Sequence, residues 1–514
     1  MKQTFDTAQN NKRIAKNTLL LYFRMLFMMA ISLFTSRITL SALGITDYGI
    51  YNVIGGMVSM FSILSGSLSV AISRFITIGI AKNDEKKLND IFYTSVSIQL
   101  FMAFIICLLA EIAGVWFLNH KMVIPAERLY AAQWVLHLSI ITFIIGLISV
   151  PYNAVIIAHE KMSAFAYISI LEAILKLIIV YFLYISPTDK LIIYAILLTC
   201  VSLILRLVYG TYCKRHFPEA HFHPRFNKEL LRNMFKFIGW SFWGNGVVVL
   251  KDQGSNILLN LFCGPSVNAA RGLAMQVNTA VYSFVQNFMT AVNPQITKSF
   301  SMNEKENMYK LIIKSAKFGF FILLILLMPI YANIDYVLNF WLIEIPPHTA
   351  NFIILILFYS LLDCYGNPLI TGILADGNIK KYEIILTIIY LTNFLASYFF
   401  LKIGFQPEWI FILNIIFKAF VVIALLWHSY IRYTFPVNTF LQECIIKTAT
   451  AFIICICLIK ALPVLTATNL IHFIISTTVI VIFCIAVILM IGINKKEYTY
   501  IKGIIRIKLH LEKK

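Results

Sequence analysis

Apolar stretches of about 20 residues or more recur along the chain, the length that a hydrocarbon core near 30 Å demands of a crossing helix. They predict about fourteen spans, over residues 18–40, 50–72, 91–118, 134–158, 165–185, 191–212, 237–261, 270–292, 311–332, 352–375, 382–401, 410–430, 445–462 and 470–493. A membrane barrel would show short alternating segments instead. Two stretches carry polar residues at helical spacing. Gln276, Thr279, Ser283, Gln286, Asn287, Thr290 and Asn293 fall within an arc of about 120°, while Leu273, Val277, Val281, Val285 and Phe288 point elsewhere. On the stretch before it, Ser241, Asn245, Asp252, Asn256 and Asn260 share one side, with Lys251 and Ser255 at the margin. Polar groups at membrane depth face a bundle interior or a water path, so these two helices are expected to line a wet cavity.

Composition agrees on the class. Of 514 residues 60% are hydrophobic and 13% charged, against about half and a quarter in a soluble domain. The expected fold is therefore an all-α integral membrane protein. The formal charge of +19 is unevenly placed. Loops on the side of the N-terminus hold Lys12, Arg13, Lys16, Arg74, Lys82, Lys86, Lys87, Lys161, Lys214, Arg215 and more, whereas the opposite side holds Lys121, Arg128, Lys190 and Lys402. With an even number of spans, this asymmetry puts both termini in the cytoplasm. It also accounts for the basic balance without a nucleic-acid partner. The first span is too long, and too free of a small-residue cleavage site, for a removed signal peptide.

The chain also repeats itself. A shift of about 220 residues sets Gly44 on Gly264, Arg74-Phe75-Ile76-Thr77 on Pro294-Gln295-Ile296-Thr297, and Asn83-Asp84 on Asn303-Glu304. Each repeat holds six helices, and an even number per repeat makes the two parallel. The expected division is an N-terminal lobe over 1–212, a cytoplasmic linker over 213–236, a C-terminal lobe over 237–430, and two added helices with a basic, interfacial tail over 431–514.

The turn after the first span reads Leu43-Gly44-Ile45-Thr46-Asp47-Tyr48-Gly49-Ile50-Tyr51. In it, and in Asn268-Ala269-Ala270-Arg271-Gly272 and Asn293-Pro294-Gln295-Ile296 of the second repeat, the chain resembles the oligosaccharide-lipid flippases of O-antigen and capsule synthesis. Their superfamily includes multidrug and toxin exporters and the peptidoglycan-precursor flippase. The resemblance implies two parallel six-helix lobes around a central cavity. It implies transfer of an undecaprenyl-diphosphate-linked repeat unit from the inner to the outer leaflet of the bacterial cytoplasmic membrane by alternating access. The partners it implies are membrane lipids, a polysaccharide polymerase and other assembly proteins.

The intramembrane charges fit an anionic ligand. Arg24, Arg37, Arg206, Lys251, Arg271, Lys418 and Lys460, with Arg74 at a span end, outnumber Glu111, Glu172, Asp252 and Asp363. Arg24, Lys251 and Arg271, with Gln276, Gln286 and Asn287, are the expected substrate contacts. Asp252 and Asp363 are the candidates for proton or sodium coupling. Several of these residues have a plain structural alternative. Arg37 and Lys460 sit near helix ends, where they can snorkel; Glu172 and Lys176 are spaced to neutralise each other; Lys418 can simply answer Asp363. Gly366, Pro368 and Gly372 predict a kink that serves either a hinge or packing. Gly55, Ser59, Ser62, Gly66, Ser69 and Ser73 predict a tight helix contact.

No nucleotide loop, dinucleotide fingerprint or metalloprotease pair appears, so direct ATP use is not expected. Cys455 and Cys457 lack a metal or redox spacing, and His221 and His223 read as a solvated loop pair; neither a metal nor another cofactor is expected. Two alternatives stay open. An ion-coupled antiporter of organic cations would share the fold but lean on acidic cavity residues, and a membrane glycosyltransferase or polymerase would need a catalytic acidic cluster or a large outer loop.

Overall fold

The computed structural model describes residues 2–62, 72, 76, 85–159, 161–220, 228–377, 380–462 and 466–494, the side chains of 2–24, 85–87, 162 and 228–245 excepted. No strand occurs among them. The helices are α1 (Lys2–Ser59), α2 (Glu85–His120), α3 (Leu129–Ala158), α4 (Met162–Ile185), α5 (Lys190–His216), α6 (Lys228–Cys263), α7 (Pro265–Ser301), α8 (Lys305–Ala332), the short α9 (Ile334–Trp341), α10 (Thr349–Asp376), α11 (Lys380–Ile403), α12 (Glu408–Tyr433), α13 (Val437–Ala461) and α14 (Leu470–Gly492). The expected spans fall on these helices as far as they are described, except that the second, over 50–72, leaves α1 in a turn at 60–61. Among the described residues, 11 stretches are long and apolar enough to cross a membrane. The 37-residue α7 is not one of them, although it is longer than most. Its polar stripe lowers its hydropathy, as the periodicity predicts.

The first two spans share α1, which breaks at Gly44 (φ 79°, ψ 167°). Gly264, between α6 and α7, has the matching left-handed φ of 81°. The residues that the repeat superimposes therefore share a positive φ, which costs an L residue about 1–2 kcal/mol. A Cβ on either glycine would meet open space, so the cost of a substitution lies in the backbone alone. Gly44→Ala and Gly264→Ala are each expected to lower stability by about 1–2 kcal/mol. Gly55→Ala, also free of neighbours but helical, should gain a few tenths to about 1 kcal/mol. Thermal midpoints of the three variants in one detergent check this, and a Gly264→Ala protein as stable as Gly55→Ala would refute it.

Contacts divide the chain into two compact units: Met1–Leu273 with Leu342–Thr349 and Tyr390–Trp409, and Ala274–Trp341 with Ala350–Ile389 and Ile410–Lys514. In the first unit, Ile50, Val53 and Ile54 of α1 are fully buried in a cluster with Ala132, Val135 and Leu136 of α3 and Leu191 of α5. A second cluster joins Phe92, Tyr152, Val155, Cys213 and Phe217, with the Phe92 and Tyr152 rings edge to face at 5.2 Å. Alanines at the α1–α3–α5 contact let backbones approach, the usual device where lipid removes the hydrophobic drive. Phe104, Ile112 and Tyr181 lie at 64, 72 and 68% exposure, an outward apolar surface suited to lipid and unsuited to water. Asp189 caps α5 by accepting from Leu191 N and Ile192 N at 3.0 and 3.3 Å. Arg128 clasps it at 2.6 Å and reaches Asp47 at 2.8 Å. Burial pushes the Asp189 carboxyl up, but the Arg128 bonds and the two N–H groups outweigh it and hold it below the usual carboxylate range.

In the second unit α8 is the most enclosed span, with 67% of its apolar window buried. The α13–α14 pair docks on it at two levels. Asn333, just past α8, donates to Ser476 Oγ at 3.2 Å and accepts from Ala467 N at 2.7 Å. At the other level Gly492 lies so close to the Phe321 ring that a Cβ there would stand 2.4 Å from it. α10 runs as one helix through Pro368. Gly372 admits Ile312 and the Tyr433 hydroxyl, a packing role for that glycine.

Candidate functional site

Two of the three motifs that carry the family resemblance, around Gly49 and Asn268, meet inside the first unit. A Cβ on Gly49 would lie 1.9 Å from the Pro265 carbonyl oxygen, and one on Gly272 would lie 2.5 Å from Asn52 Oδ1. Glycine at both places lets the post-break part of α1 and the start of α7 lie against each other. Asparagines fasten the seam. Asn268 Nδ2 donates to Asn256 O at 2.7 Å and Oδ1 at 2.9 Å, Asn256 Nδ2 donates to Asn52 O at 3.3 Å, and Asn52 Nδ2 donates to Tyr48 O at 2.7 Å. Asn268 and Asn256 are 0 and 2% exposed. Gly56 faces Asn256 and Gln253, whereas Gly55 opens on a cavity of about 190 Å³ lined by Tyr51, Ser59, Ser139 and Thr142. The expected close contact thus lies one residue further on, around the helix, than the stripe through Gly55. Ser62 is described, but Gly66, Ser69 and Ser73 lie outside the described residues.

Adjacent residues of α6 take different partners, as their offset of about 100° requires. Asp252 accepts from Arg271 Nη2 at 2.9 Å, and Arg271 also donates to the Asp252 carbonyl at 3.0 Å. Lys251 is buried, with its Nζ 5.7 Å from the Tyr390 ring centroid. Two residues expected to act separately, Arg271 on substrate and Asp252 on an ion, are therefore ion-paired to one another.

The second unit holds the rest of α7. Thr279, Gln286 and Thr290 are exposed, and Gln276, Ser283 and Asn287 are half-buried. Along the edge of that stripe α7 is tied to α10 by polar rungs. Ser360 Oγ donates to Asn278 Oδ1 at 2.7 Å, Tyr282 Oη donates to Asp363 Oδ2 at 2.6 Å, and Asn293 Nδ2 reaches Asn367 Oδ1 at 3.4 Å. Lys418 of α12 bonds the other oxygen of Asp363 and lies 5.5 Å from the Tyr359 ring. Tyr282 and Tyr359 escaped the sequence reading because an aromatic in an apolar run looks like core. A phenol at helical register with the polar stripe was the only signal.

Other intramembrane charges are also answered. Glu111 meets His137 at 2.8 Å, Glu172 meets Lys176 at 2.7 Å, and the Arg206 guanidinium stacks 4.0 Å over Tyr152. Lys460 is exposed at a helix end. Lys317, 1% exposed on α8, is a buried cation that the sequence reading did not single out. The side chains of Arg24 and Arg74 lie outside the described residues, as do His221, His223 and the tail after Asn494. Among the described residues no group of three His, Cys, Asp or Glu is placed to hold a metal ion.

In both central pairs the base is the enclosed partner. Side-chain exposure is 8% for Arg271 against 36% for Asp252, and 4% for Lys418 against 29% for Asp363. What these pairs present to the open side is a carboxylate with a cation behind it. Counting bases against acids along the chain therefore overstates the free positive charge.

The fold matches solved transporters of the MOP superfamily. A lipid II flippase, MurJ, in an inward closed conformation aligns with a TM-score of 0.71 at 15% identity, over 91% of this chain and 98% of that one. A multidrug resistance MATE family transporter in its inward-facing conformation aligns with a TM-score of 0.59 at 16% identity, over 79 and 93%. A MOP superfamily transporter from Pyrococcus furiosus, described as having a binding pocket of reverse polarity, aligns with a TM-score of 0.56 at 16% identity, over 83 and 96%. At these identities the likeness is one of fold: a multi-pass membrane protein of transporter architecture. The sequence matches the model of the polysaccharide biosynthesis protein family over residues 14–302, more than half of the chain, and the protein belongs to that family. No curated protein matches it.

Proposed function

We propose that this protein is a flippase that moves undecaprenyl-diphosphate-linked oligosaccharide repeat units from the inner to the outer leaflet of the bacterial cytoplasmic membrane by alternating access. The observation that carries this reading is the family match over residues 14–302 on a chain that spans 98% of a lipid II flippase. The polar α7, with Thr279, Gln286 and Thr290 exposed, supports it, because a many-hydroxyl headgroup needs hydrogen-bonding walls when it leaves water. The basic residues gathered on the side of the termini support a cytoplasmic placement of both ends. Lys251 and Arg24 are the proposed contacts to the diphosphate, and Gln276, Gln286 and Asn287 those to the sugars. Asp252 and Asp363 are where a proton or sodium gradient would act. An antiporter of organic cations is the second reading, favoured by the carboxylates being the open partners of their pairs.

Translocation of a lipid-diphosphate oligosaccharide in proteoliposomes tests this reading, with headgroup crossing read by an impermeant reagent. The expected result is crossing well above protein-free vesicles, reduced about tenfold or more by Lys251→Ala, the loss of one charge-assisted bond, and by Arg24→Ala. Absence of crossing over a panel of such lipids, with gradient-driven export of an organic cation, would establish the antiporter instead.

A further inference from the structure

A lysine that is 4% exposed at membrane depth is tolerable only beside a counter-ion. Lys418 has one in Asp363, whose second oxygen is held by the Tyr282 hydroxyl at 2.6 Å. The carboxylate is the open member, at 29% side-chain exposure, and it stands at the edge of the α7 stripe between the Asn278–Ser360 and Asn293–Asn367 rungs. Gly366, one turn along α10, keeps the flank of the ammonium free of a side chain; a Cβ there would sit 3.6 Å from Lys418 Nζ. An anion arriving along the stripe therefore meets Asp363 first, and Lys418 immediately behind it.

We infer that Lys418 is a diphosphate-binding cation of the second unit, and that Asp363 is the internal anion it exchanges for the lipid diphosphate. This rests on the flippase reading and adds to it a further substrate-contact residue and a coupling ion. The exchange proceeds in balance. Lys418 leaves Asp363 Oδ1 for a phosphate oxygen, and Tyr282 keeps its bond to Oδ2. The freed carboxylate, now beside a multiply charged diphosphate, takes up a proton from the water phase, since two anions at this spacing cannot both stay ionised. Binding of the headgroup is thus linked to uptake of a proton. Among the described residues, Tyr282 on α7, Tyr359 and Cys364 on α10, and Cys444 on α13 beside Cys364 are titratable groups near the pair. None of them supplies a second cation.

The test is binding of farnesyl diphosphate to the full-length protein in detergent, with farnesol as the tail control and inorganic diphosphate as competitor. Proton uptake is read by an indicator in weak buffer. The wild type is expected to bind the diphosphate and not the alcohol, to take up a proton, and to lose affinity as pH rises above neutral. Lys418→Gln should weaken binding about tenfold or more, and Asp363→Asn should tighten it by a similar factor above neutral pH and abolish the uptake. The double variant Lys418→Gln/Asp363→Asn, which removes both charges, should melt like the wild type and bind like Lys418→Gln. Equal affinity and equal uptake in wild type and Asp363→Asn, or undiminished affinity in the double variant, would overturn the exchange and leave the flippase reading standing. A wild type that ignores farnesyl diphosphate altogether would overturn the diphosphate role of Lys418, while the translocation assay decides the flippase reading on its own.

Discussion

Alanine at position 49 is expected to prevent folding or to lower stability by about 3 kcal/mol or more, the upper end for an overpacked site. The added Cβ would stand 1.9 Å from the Pro265 carbonyl oxygen, 2.6 Å from its carbon and 3.2 Å from its Cα. All three obstacles are backbone atoms at the start of a helix, so no rotamer change relieves the clash, and the two helices must separate. Separation would pull Asn268 and Asn256 out of register with Asn52, whose bonds close the same seam. A native stability of about 5–15 kcal/mol leaves little room for that. Yield of monodisperse protein and its thermal midpoint measure the effect, with Gly55→Ala, one turn and a half along the same helix, as the tolerated control. Pro265→Ala does not rescue Gly49→Ala, because the obstacle is a carbonyl and the ring is not involved. A Gly49→Ala protein with wild-type yield and midpoint would show that the seam is not closed in the native state.

The spans were legible in the sequence because a bilayer imposes a length and an apolar content on each helix, and the polar face of α7 was legible because its period is 3.6. The twin turns at Gly44 and Gly264 were legible through the repeat, since equal positions in two repeats carry equal backbone demands. The roles of the motif residues were not. Gly49, Asn268 and Gly272 announce a place where something comes close, but their partners lie in distant parts of the chain, and only the fold shows that they press on one another. The same limit holds for charge. Periodicity placed Lys251 and Asp252 about 100° apart, yet the arrival of Arg271 at Asp252 and of Tyr390 at Lys251 depends on how three helices are rotated. Gly55 and Gly56 show how little separates two readings: one residue turns the small face from an open cavity to Asn256. Gly372, close to Pro368 in the sequence, shows the same limit, because its packing against Ile312 and Tyr433 depends on helices far along the chain.

Asn268→Asp is expected to be nearly as damaging as Gly49→Ala although it changes no volume. The amide of Asn268 is fully buried and points its two N–H bonds at two acceptors, the carbonyl and the Oδ1 of Asn256, at 2.7 and 2.9 Å. An aspartate there replaces the donor with an oxygen, so three acceptors face one another without a proton between them. Two bonds are lost, each about 1 kcal/mol net, and the carboxylate held buried against two acceptors costs about 1–3 kcal/mol more; at neutral pH the sum is about 3–5 kcal/mol. Asn268→Ala removes the same bonds without adding a charge or an opposing oxygen, and should cost about 1–3 kcal/mol. The order Asp worse than Ala is the discriminating outcome, since a site where residue 268 only fills space would rank them the other way. Acidification should narrow the gap, because a protonated carboxyl regains one donor and can restore one of the two bonds to Asn256, whereas Asn268→Ala has nothing to protonate. Thermal midpoints of the two variants across the acid range test both statements. If the aspartate variant matches the alanine variant at every pH, the asparagine ladder is not what holds the start of α7 to α6, and the glycine contacts at 49 and 272 must close the seam alone.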